Sequence, residues 1–551
     1  MNRNPKKKLG FKYIKFAVSI LLFTAIFGVR ANASTLGYSM KDYIRVALTS
    51  NYSNQNTIAI ANSSIKIGYN ENEFCNLLEL DCKNGFYFAL NDSNRFVSSK
   101  TYDDFDEMYE LIEGSDDYMP LFIGEGQYKI ITKPNREATD LADDNYSNLK
   151  SIVVINRDNK EQAIFEGKNN PLIKDSDDEP LKISNPNGTT KSYRGYVRLL
   201  NGASKGITVI NHVDFDQYLY GVITSEMPKS WNSEALKAQA LTARTYAFKR
   251  MIINEDGTYD VVDTTSDQVY GGVNTECKES IKAADETSRQ VIIYTGDDKS
   301  YHNKLIDAFF SSCHGGVSSN SEDVWTAALP YCRSIVDEYE KPNKYTNWEM
   351  TFTLNDLQQA VNTVGAKIGT VTGCTVTTAK DSKRVVSFNI VGTQGTYRVQ
   401  KDPIRTFCNK YFKGICYSNN FELFSGSNPK VEEVKTDNTI FIVGDVNTTP
   451  KEKNIKDLFM FNSSNNGKTQ ISNKVSVLSK DGTKEIDLET ISYVETDSEK
   501  LAKGTYKIIG SGYGHGVGMS QYGANDMANA GFDCDEIIKY YYTDVDIFTI
   551  D

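Results

Sequence analysis

Cysteine is scarce in this chain. Nine cysteines among 551 residues are too few for a disulfide scaffold of that length, and the odd number leaves at least one thiol unpaired. No Cys-x-x-Cys spacing is present, which weighs against a zinc site built on that pattern. An extracellular location would favour bridges, but spacing alone does not fix the pairing. The candidate pairs are Cys75–Cys82, Cys408–Cys416 and Cys313–Cys332.

Positive charge is also in short supply. The net charge is −11, and the first 33 residues contribute seven basic and no acidic side chains, so the chain after them stands at −18. This balance argues against a nucleic-acid partner, because such a partner needs a basic surface. Bulk electrostatics cannot recruit the chain to an anionic polymer either. Any polymer must therefore bind in a local groove.

Long hydrophobic runs are missing after residue 33, where no stretch reaches the roughly 20 residues that span a membrane. Residues 1–33 combine a basic start, the apolar run Phe16–Val29 and the small-x-small site Ala31–Ala33. This order is typical of a cleaved secretory signal peptide. An uncleaved anchor is the alternative, but the run is short and Arg30 ends it. We predict a secreted or cell-wall-associated mature chain without an integral membrane span.

Internal repeats and long low-complexity tracts are absent as well. Residues 41–70 read as short strands, and a β-α-β-β-α-β pattern follows, with helices at 105–112 and 138–141. This order resembles SPOR-type peptidoglycan-binding domains, and a plain spacer domain is the alternative. We predict an N-terminal part of this kind at 41–156. A linker rich in Asn, Asp and Pro is predicted at 157–190.

The C-terminal two-thirds mixes strands with helices. Its clearest element is an alanine-rich helix from Glu234 to Ile252, whose small side chains indicate close packing on all sides. We predict a core domain over 191–425 and 506–551. A polar, β-rich insertion at 426–505 interrupts it and contains a hairpin turn at Asp481-Gly482. The predicted fold class is α+β.

One carboxylate has an unusual setting. Glu226 lies in Tyr218–Trp231, between an apolar stretch that reads as a strand and the start of the alanine-rich helix. Apolar neighbours raise the pKa of a carboxyl group, so that it can donate a proton near neutral pH, as glycoside cleavage requires. An ordinary exposed loop glutamate is the alternative. A single-acid mechanism is favoured, because no nearby acid has an equally apolar setting: Asp214, Asp216 and Glu234.

Glycine is concentrated in one segment, Gly510–Gly523, around His515. Glycine permits backbone conformations that approach a ligand closely. The segment lacks the Lys-Ser/Thr of a P-loop, so we predict that it lines a polar groove. A lone histidine such as His515, one of only four in the chain, more often has a structural role.

A shorter polar segment, Thr264–Gly272, supplies an amide and an aromatic ring. These are Gln268 and Tyr270, and both groups suit sugar binding. An ordinary polar loop is the alternative.

Cys313 and His314 are adjacent in Asp307–Gly316. Neighbours in an extended chain point to opposite faces, so they rarely form one catalytic pair. Zinc would need two further ligands, and the available donors are His302, Cys277 and Cys332. A packed cysteine or a disulfide is the favoured interpretation.

Together these stretches resemble the SpoIID/LytB family. Several long motifs in the family's order form a stronger signal than any one of them. They cover roughly residues 190–425 and 505–550, with weaker support at 41–70. The matching stretches are Ile44–Val46, Asp216–Trp231, Ala238–Ala247, Gln268–Gly272, Phe310–Gly316, Glu322–Trp325 and Gly512–Ala524.

The resemblance implies peptidoglycan chemistry. SpoIID-like members are lytic transglycosylases, which cleave the MurNAc–GlcNAc bond of denuded glycan and leave a 1,6-anhydro end. The family's essential acid falls on Glu226. Arg244 lies in a mostly buried helix, where it either binds substrate or holds a structural carboxylate. The candidate substrate-binding residues in family motifs are Gln239, Arg244, Gln268, Tyr270, His515, Ser520 and Gln521.

The chain departs from the family at one point. Family members commonly have a histidine a few residues before the Gly-Gly pair, and some build a zinc site from His and Cys around it. Here Ser311 takes that position, Val317 follows the glycines, and Cys313 and His314 are displaced. We therefore predict no metal and no cofactor.

A rival function comes from the LytB-like side of the family. Those proteins are described as enhancers of a cell-wall N-acetylmuramoyl-L-alanine amidase, a binding role without catalysis. The N-terminal part and the 426–505 insertion would suit such a scaffold, and a purely structural wall protein is a third class. The predicted partners are peptidoglycan glycan strands and, under the alternative, an amidase. The family and the signal peptide indicate a Gram-positive spore former and leave a sporulation or a vegetative role open.

Overall fold

The computed structural model describes residues 38–70, 72–147, 151–201, 206–426, 474–479, 482–487 and 501–550. These residues form helices and several sheets, which confirms the predicted α+β class. The predicted signal peptide lies outside them. Within these ranges, no helix has the length and apolar character that crossing a bilayer requires.

Two large sheets hold most of the N-terminal strands. Alternate residues of a strand face the same side of a sheet. Most of the apolar side chains of the two sheets lie in one hydrophobic core together with the helices that follow, and those on the other face of the ten-stranded sheet form a small separate cluster. Among the described residues, the first sheet has seven strands in the order Val261–Val262, Tyr43–Ala47, Ile207–Asp214, Tyr196–Asn201, Leu172–Asp175, Ser64–Tyr69 and Cys75–Asp81. The second has ten, in the order Thr190–Tyr193, Leu181–Ser184, Thr57–Ile60, Phe86–Leu90, Ile152–Asn156, Glu161–Phe165, Tyr118–Gly124, Gln127–Thr132, Arg95–Val97 and Asp144–Tyr146.

The predicted linker at 157–190 is wrong. Glu161–Phe165 and Leu181–Ser184 are strands of the ten-stranded sheet, and Leu172–Asp175 belongs to the seven-stranded sheet. Most of the apolar side chains of these strands are fully buried, which offsets the entropy lost on ordering the chain. The Asn, Asp and Pro residues lie mainly in the turns between the strands.

The N-terminal part differs from the prediction in a second way. The helix Phe105–Glu110 is present, and the Asp104 side chain caps it. The predicted helix at 138–141 is wrong, because Thr139 and Ala142 form an isolated β-bridge there. The order expected of a SPOR-type domain is therefore not reproduced.

Ten α-helices occur among the described residues, and one 3₁₀-helix at Gly272–Thr275. Most of them belong to the C-terminal two-thirds of the chain. They are α1 (Thr49–Tyr52), α2 (Phe105–Glu110), α3 (Phe215–Glu226), α4 (Ser233–Ile253), α5 (Lys278–Glu286), α6 (Ser321–Val324), α7 (Leu354–Thr363), α8 (Pro403–Tyr411), α9 (Gln521–Asn529) and α10 (Cys534–Tyr541).

Helix α3 stands where the sequence predicted an apolar strand before Glu226. The buried side chains of Phe215, Leu219 and Val222 recur at helical rather than strand spacing. The Asp214 side chain accepts a hydrogen bond of 3.0 Å from a backbone N–H of the first turn, as a helix N-cap does. The strand prediction is therefore wrong, and Glu226 is the last residue of a helix.

The alanine-rich helix is confirmed. Helix α4 is one residue longer at each end than predicted, and the Asn232 side chain caps its start. Helices α3, α5, α9 and α10 and the strand Gln290–Tyr294 pack around it. Its small side chains allow this close approach from several sides, and the fully buried alanines are Ala235, Ala238, Ala240, Ala243 and Ala247.

A second hydrophobic core lies in residues 346–425 and 505–510, hereafter the lateral domain. Residues 38–345 and 511–550 are called the main domain. The predicted core domain at 191–425 therefore divides into two packing units. The lateral domain has two three-stranded sheets, one in the order Trp348–Thr353, Thr505–Gly510 and Phe421–Ser425, the other in the order Val371–Thr378, Val385–Gly392 and Gly395–Gln400.

Smaller strand pairs complete the described structure. Two strands pair in antiparallel fashion around the predicted turn at Asp481-Gly482, which confirms the predicted hairpin. Most of the predicted insertion lies outside the described residues. The pairs are Lys474–Ser479 with Gly482–Asp487, Phe310–Ser311 with Met519–Ser520, and Gln290–Tyr294 with both Lys304–Leu305 and Val545–Thr549.

Candidate active site

A cleft of about 690 Å³ opens between the main domain and the lateral domain. Its volume is in the range of binding sites for small ligands. The main domain contributes the end of α3 and the segments Thr265–Asp267, Ala308–Ser312 and Tyr513–His515. The lateral domain contributes Asp402 and Arg405, at the start of α8. Both domains are therefore needed to form the site.

Glu226 is half-buried in the wall of this cleft. Its Oε1 accepts a hydrogen bond of 2.7 Å from the backbone N–H of Val269. Its Oε2 accepts one of 3.3 Å from the side-chain amide of Gln521. The carboxyl group is thus held between two segments that are distant in sequence, and it faces the cleft.

Burial raises the pKa of Glu226 above its ordinary value, and the hydrogen bonds from Val269 and Gln521 oppose that rise in part. The position at the C-terminus of α3 acts in the same direction as burial. The helix dipole is negative there and disfavours a second negative charge. Glu226 therefore retains its proton to a higher pH than an exposed glutamate, as a general acid must.

The other carboxylates of the cleft already have partners. Asp267 accepts hydrogen bonds from the Tyr246 hydroxyl at 2.6 Å and from a backbone N–H at 2.9 Å. Asp402 pairs with Arg405 at 2.8 Å. The acids considered from sequence do not line the cleft: Asp214, Asp216 and Glu234. Burial raises the pKa of Glu226, and among the described residues neither an arginine nor a hydroxyl group is one of its hydrogen-bond donors.

His515 also lines the cleft, as predicted for the glycine-rich segment. Burial, with the positive charges of Arg405 and Arg384 nearby, lowers its pKa to about 3, so the ring is neutral at physiological pH. Its Nδ1 accepts a hydrogen bond of 3.0 Å from the backbone N–H of Val517. Trp325 lies against it, with ring centroids 5.0 Å apart. The imidazole is a polar wall and not a second proton donor.

One glycine of the segment is required by close packing. Gly516 adopts φ +75°, and a Cβ there would lie 2.7 Å from the guanidinium carbon of buried Arg384. That guanidinium in turn donates to the backbone oxygens of His314 and Val317. The glycines thus allow the segment to pass over a buried cation beside the cleft.

Two of the predicted substrate-binding residues, Gln239 and Gln521, support Glu226 through side-chain contacts. Gln521 lines the cleft, and its amide nitrogen lies 3.4 Å from the side-chain oxygen of Gln239, which is fully buried on α4. Gln239 therefore does not reach the cleft and instead holds Gln521 in place. Gln239 thus contacts Gln521, and Gln521 in turn contacts Glu226.

The prediction that Gln268 and Tyr270 bind substrate is not supported by their positions. Both are buried in the core, where Gln268 accepts from the Tyr218 hydroxyl at 3.0 Å and Tyr270 donates to Asn211 at 3.0 Å. Their segment contributes through its backbone, because the residue between them, Val269, donates to Glu226. Amide and aromatic groups suit sugars, but they also suit a hydrogen-bonded core.

Arg244 and Ser520 also lie away from the cleft. Arg244 is fully buried, pairs with Asp216 at 3.1 Å and donates to the last carbonyls of α5, which favours the structural alternative. Ser520 is fully buried, caps α9 and donates to Glu340 at 2.6 Å. Neither side chain has a surface free for a ligand.

Cys313 and His314 do not form a pair. Burial raises the pKa of the Cys313 thiol to about 12, so it is not a reactive thiolate. His314 instead lies near Asp337 and Glu340, a group with metal-ligand chemistry. The carboxylates of that group already accept protein hydrogen bonds, among them Ser520 on Glu340 and Tyr541 on Asp337. All nine cysteines are free thiols in this structure, including the three pairs considered above.

The sequence did not single out Arg405 as a site residue. Its guanidinium lines the cleft opposite the main domain and binds Asp402 through Nε and one terminal nitrogen. The other terminal nitrogen makes no hydrogen bond with any residue that the structure describes. Only packing of the lateral domain brings it there, and no local pattern marks it. Trp325, the last residue of the motif Glu322–Trp325, also lines the cleft.

Comparison with known proteins identifies the region around Glu226. Residues 203–294 match the family model SpoIID, described as "Stage II sporulation protein". The chain is 29% identical over 342 residues to the "Amidase enhancer" of Bacillus subtilis (strain 168), covering 59% of this chain and 39% of that protein. It is 28% identical over 353 residues to "Stage II sporulation protein D" of the same organism, covering 62% of this chain and 76% of that protein. The protein of that name from Bacillus amyloliquefaciens is 27% identical over 351 residues, with the same two shares. The chain thus spans well under half of the first relative.

Proposed function

We propose that this chain, whose residues 203–294 belong to the SpoIID family, is a peptidoglycan lytic transglycosylase that acts outside the cell membrane. It cleaves the MurNAc–GlcNAc bond of denuded glycan and leaves a 1,6-anhydro end. The observation that carries the proposal is Glu226, a carboxyl group with a raised pKa in the wall of a two-domain cleft. The setting of the remaining cleft acids supports a single-acid reaction.

In the proposed reaction, Glu226 donates its proton to the glycosidic oxygen as the bond from that oxygen to C1 of MurNAc breaks. The C6 hydroxyl of the same MurNAc attacks C1 and closes the anhydro ring. Its proton passes to the Glu226 carboxylate, which restores the acid. No water is consumed, so the reaction needs no second carboxylate to activate one.

The walls of the cleft suit such a polymer. Trp325, Phe309 and Tyr345 provide aromatic surface, and Gln521 and the nearby serines provide hydrogen-bonding groups. Arg405 provides a cation with an unused donor, which fits the lactyl carboxylate that denuded MurNAc carries. Arg405 would thus bind the lactyl carboxylate through the nitrogen that its pairing with Asp402 leaves unused.

A second candidate function rests on the first relative, whose name is "Amidase enhancer". Under this alternative the chain binds glycan or an amidase and performs no bond cleavage. Glu226 would then tolerate conversion to an amide, since an enhancer needs no proton donor. Sporulation and vegetative wall turnover are both compatible with either function.

The test is a digest of amidase-treated peptidoglycan with the mature protein, with Glu226→Gln and with Glu279→Gln, read by mass spectrometry. Glu279 is exposed on α5, outside the cleft, and is the matched control. We expect anhydro-muropeptides from the native protein and the control but not from Glu226→Gln. If the native protein gives none on glycan that a known transglycosylase cleaves, the proposal fails and the enhancer becomes the leading function.

A further inference from the structure

A second cavity, of about 560 Å³, lies on the lateral domain outside the Glu226 cleft. Its floor is one face of the three-stranded sheet Val371–Thr378, Val385–Gly392 and Gly395–Gln400. Glu322, Asp323 and Lys401 form its rim. We call this cavity the sheet groove.

The strand register explains why most of the floor is polar, with Val386 and Val391 as its apolar residues. Residues directly opposite one another on paired strands point to the same face of the sheet. One cross-strand row is Thr377, Ser387 and Gln400, and the next is Thr375, Asn389 and Arg398. The opposite face of the sheet packs into the core of the lateral domain, through side chains that include Cys374, Phe388, Ile390 and Val399.

The floor combines hydroxyl, amide and guanidinium groups. Ser387 donates to Asn389 at 2.8 Å, so these side chains are arranged as a connected polar surface. Arg398 is exposed, and its guanidinium makes no ion pair or hydrogen bond with any residue that the structure describes. Hydroxyls and amides match the hydroxyl and acetamide groups of amino sugars, and a free guanidinium matches a carboxylate.

A ridge formed by residues 322–325 and 401–402 lies between the sheet groove and the Glu226 cleft. Lys401 lies on the rim of the groove and donates to the backbone oxygens of Glu322, at 2.8 Å, and of Trp325. Trp325 and Asp402, the residue after Lys401, line the Glu226 cleft. A polymer that lies against Trp325 can therefore continue over this ridge onto the sheet.

We propose that the sheet groove is a distal subsite for the glycan strand, binding sugars beyond those held in the Glu226 cleft. The inference rests on the proposed function, because it takes the same polymer as ligand. Arg398 binds a lactyl carboxylate of a distal MurNAc, and Asn389 bonds to a sugar hydroxyl or acetamide. Long strands then bind more tightly than short oligosaccharides.

The test compares ligand length on inactive protein. Glu226→Gln protein is titrated with long denuded strands and with a denuded tetrasaccharide, each fluorescently labelled at one end. The same titration is made after adding Asn389→Ala and Arg398→Gln, or the matched control Lys413→Gln, an exposed cation of the lateral domain outside the groove. We expect the double substitution to weaken long-strand binding about tenfold, as the loss of two or three polar contacts should. Tetrasaccharide binding and circular dichroism should not change, and Lys413→Gln should have no effect on either ligand.

Each outcome bears on the inference separately from the proposed function. Equal loss of long and short ligands, or no loss of either, overturns the distal subsite even if the wild type yields anhydro products. If only long-strand binding is weakened, and the wild-type protein yields no anhydro products, the subsite is supported while the transglycosylase proposal fails.

Discussion

Adjacent residues at the start of α9 contact two glutamates with very different surroundings. Gln521 donates to Glu226, which has one other donor, the backbone N–H of Val269. Ser520 donates to Glu340, which also accepts 2.7 Å bonds from the backbone N–H groups of His314 and Gly315. Glu340 is thus fixed by three donors as a structural anchor. Among the described residues, Glu226 has only two donors, of which Gln521 is 3.3 Å away; it lies at a helix C-terminus and faces the cleft.

The difference shows that local chemistry alone does not make a carboxylate reactive. Both glutamates are shielded and both lie beside the glycine-rich segment. The number of donors, the helix end and the access to a cleft separate the one suited to proton transfer from the one suited to holding loops together. The predictions below test this separation in order of expected effect.

Glu226→Gln should lower the rate of anhydro-product formation about 1,000-fold, the usual contribution of a general acid. The amide still accepts from Val269, so the fold should be retained. The measurement is the initial rate on denuded glycan, with circular dichroism as the folding check. A variant that keeps more than a tenth of the native rate would remove Glu226 from the chemistry.

Glu340→Gln should act on stability instead. The side-chain amide leaves one of the three donors without an acceptor, at a cost of about 2 kcal/mol in the free energy of unfolding. Denaturant unfolding of Glu340→Gln and of the exposed neighbour variant Glu338→Gln measures it. Equal stability of the two variants would show that Glu340 is not an anchor.

Gln521→Ala should lower the rate about tenfold, because Glu226 loses one of the two bonds that orient it. The same bond lowers the pKa of Glu226, so its loss raises that pKa further. A general acid is active while protonated, and the alkaline limb of the pH–rate profile should therefore move to higher pH. A limb that stays in place or moves to lower pH contradicts the assignment of that limb to Glu226.

The smallest expected effect is a pH-dependent change in the stability of the folded chain. Because the pKa of Glu226 is higher in the folded than in the unfolded chain, the folded state binds the proton more tightly. Stability therefore falls as pH rises from the unfolded pKa to the folded one, and it stays reduced at neutral pH. Glu226→Gln should raise Tm at neutral pH by about 2 °C or less and have no such effect at pH below both values. A lower Tm at neutral pH would contradict the raised pKa.

The contrast between the two glutamates also marks how far sequence could predict the site. Glu226, His515 and Gln521 lie in motifs and do line the cleft. Gln268 and Ser520 lie in motifs too, yet they are buried, because a motif also preserves the core that positions the site. Arg405 has no local signal, since it reaches the cleft only through the packing of the lateral domain.

The fold was predictable to a similar depth. The alanine-rich helix and the mixed class follow from residue spacing and composition. The wrong predictions fall in segments where residue composition and the spacing of apolar residues indicate different structures. Residues 157–190 are rich in turn residues but carry short buried apolar runs, and Phe215–Glu226 is apolar enough to resemble a strand although its buried positions have helical spacing. Strand Tyr43–Ala47 pairs with Ile207–Asp214, far away in the sequence, and residue spacing does not reveal such long-range pairing.

The last strand pair of the lateral domain has a consequence for how this protein can vary and be engineered. Phe421–Ser425 leaves that sheet beside Thr505–Gly510, and the N–H of Gly426 bonds to the oxygen of Thr505 at 2.9 Å. The chain thus exits and re-enters at neighbouring points on one sheet. The entropy of bringing two such points together grows only slowly with the number of residues between them, so a change in the length of the intervening segment should cost the lateral domain little stability. This exit point is the natural place to attach a label to the folded protein.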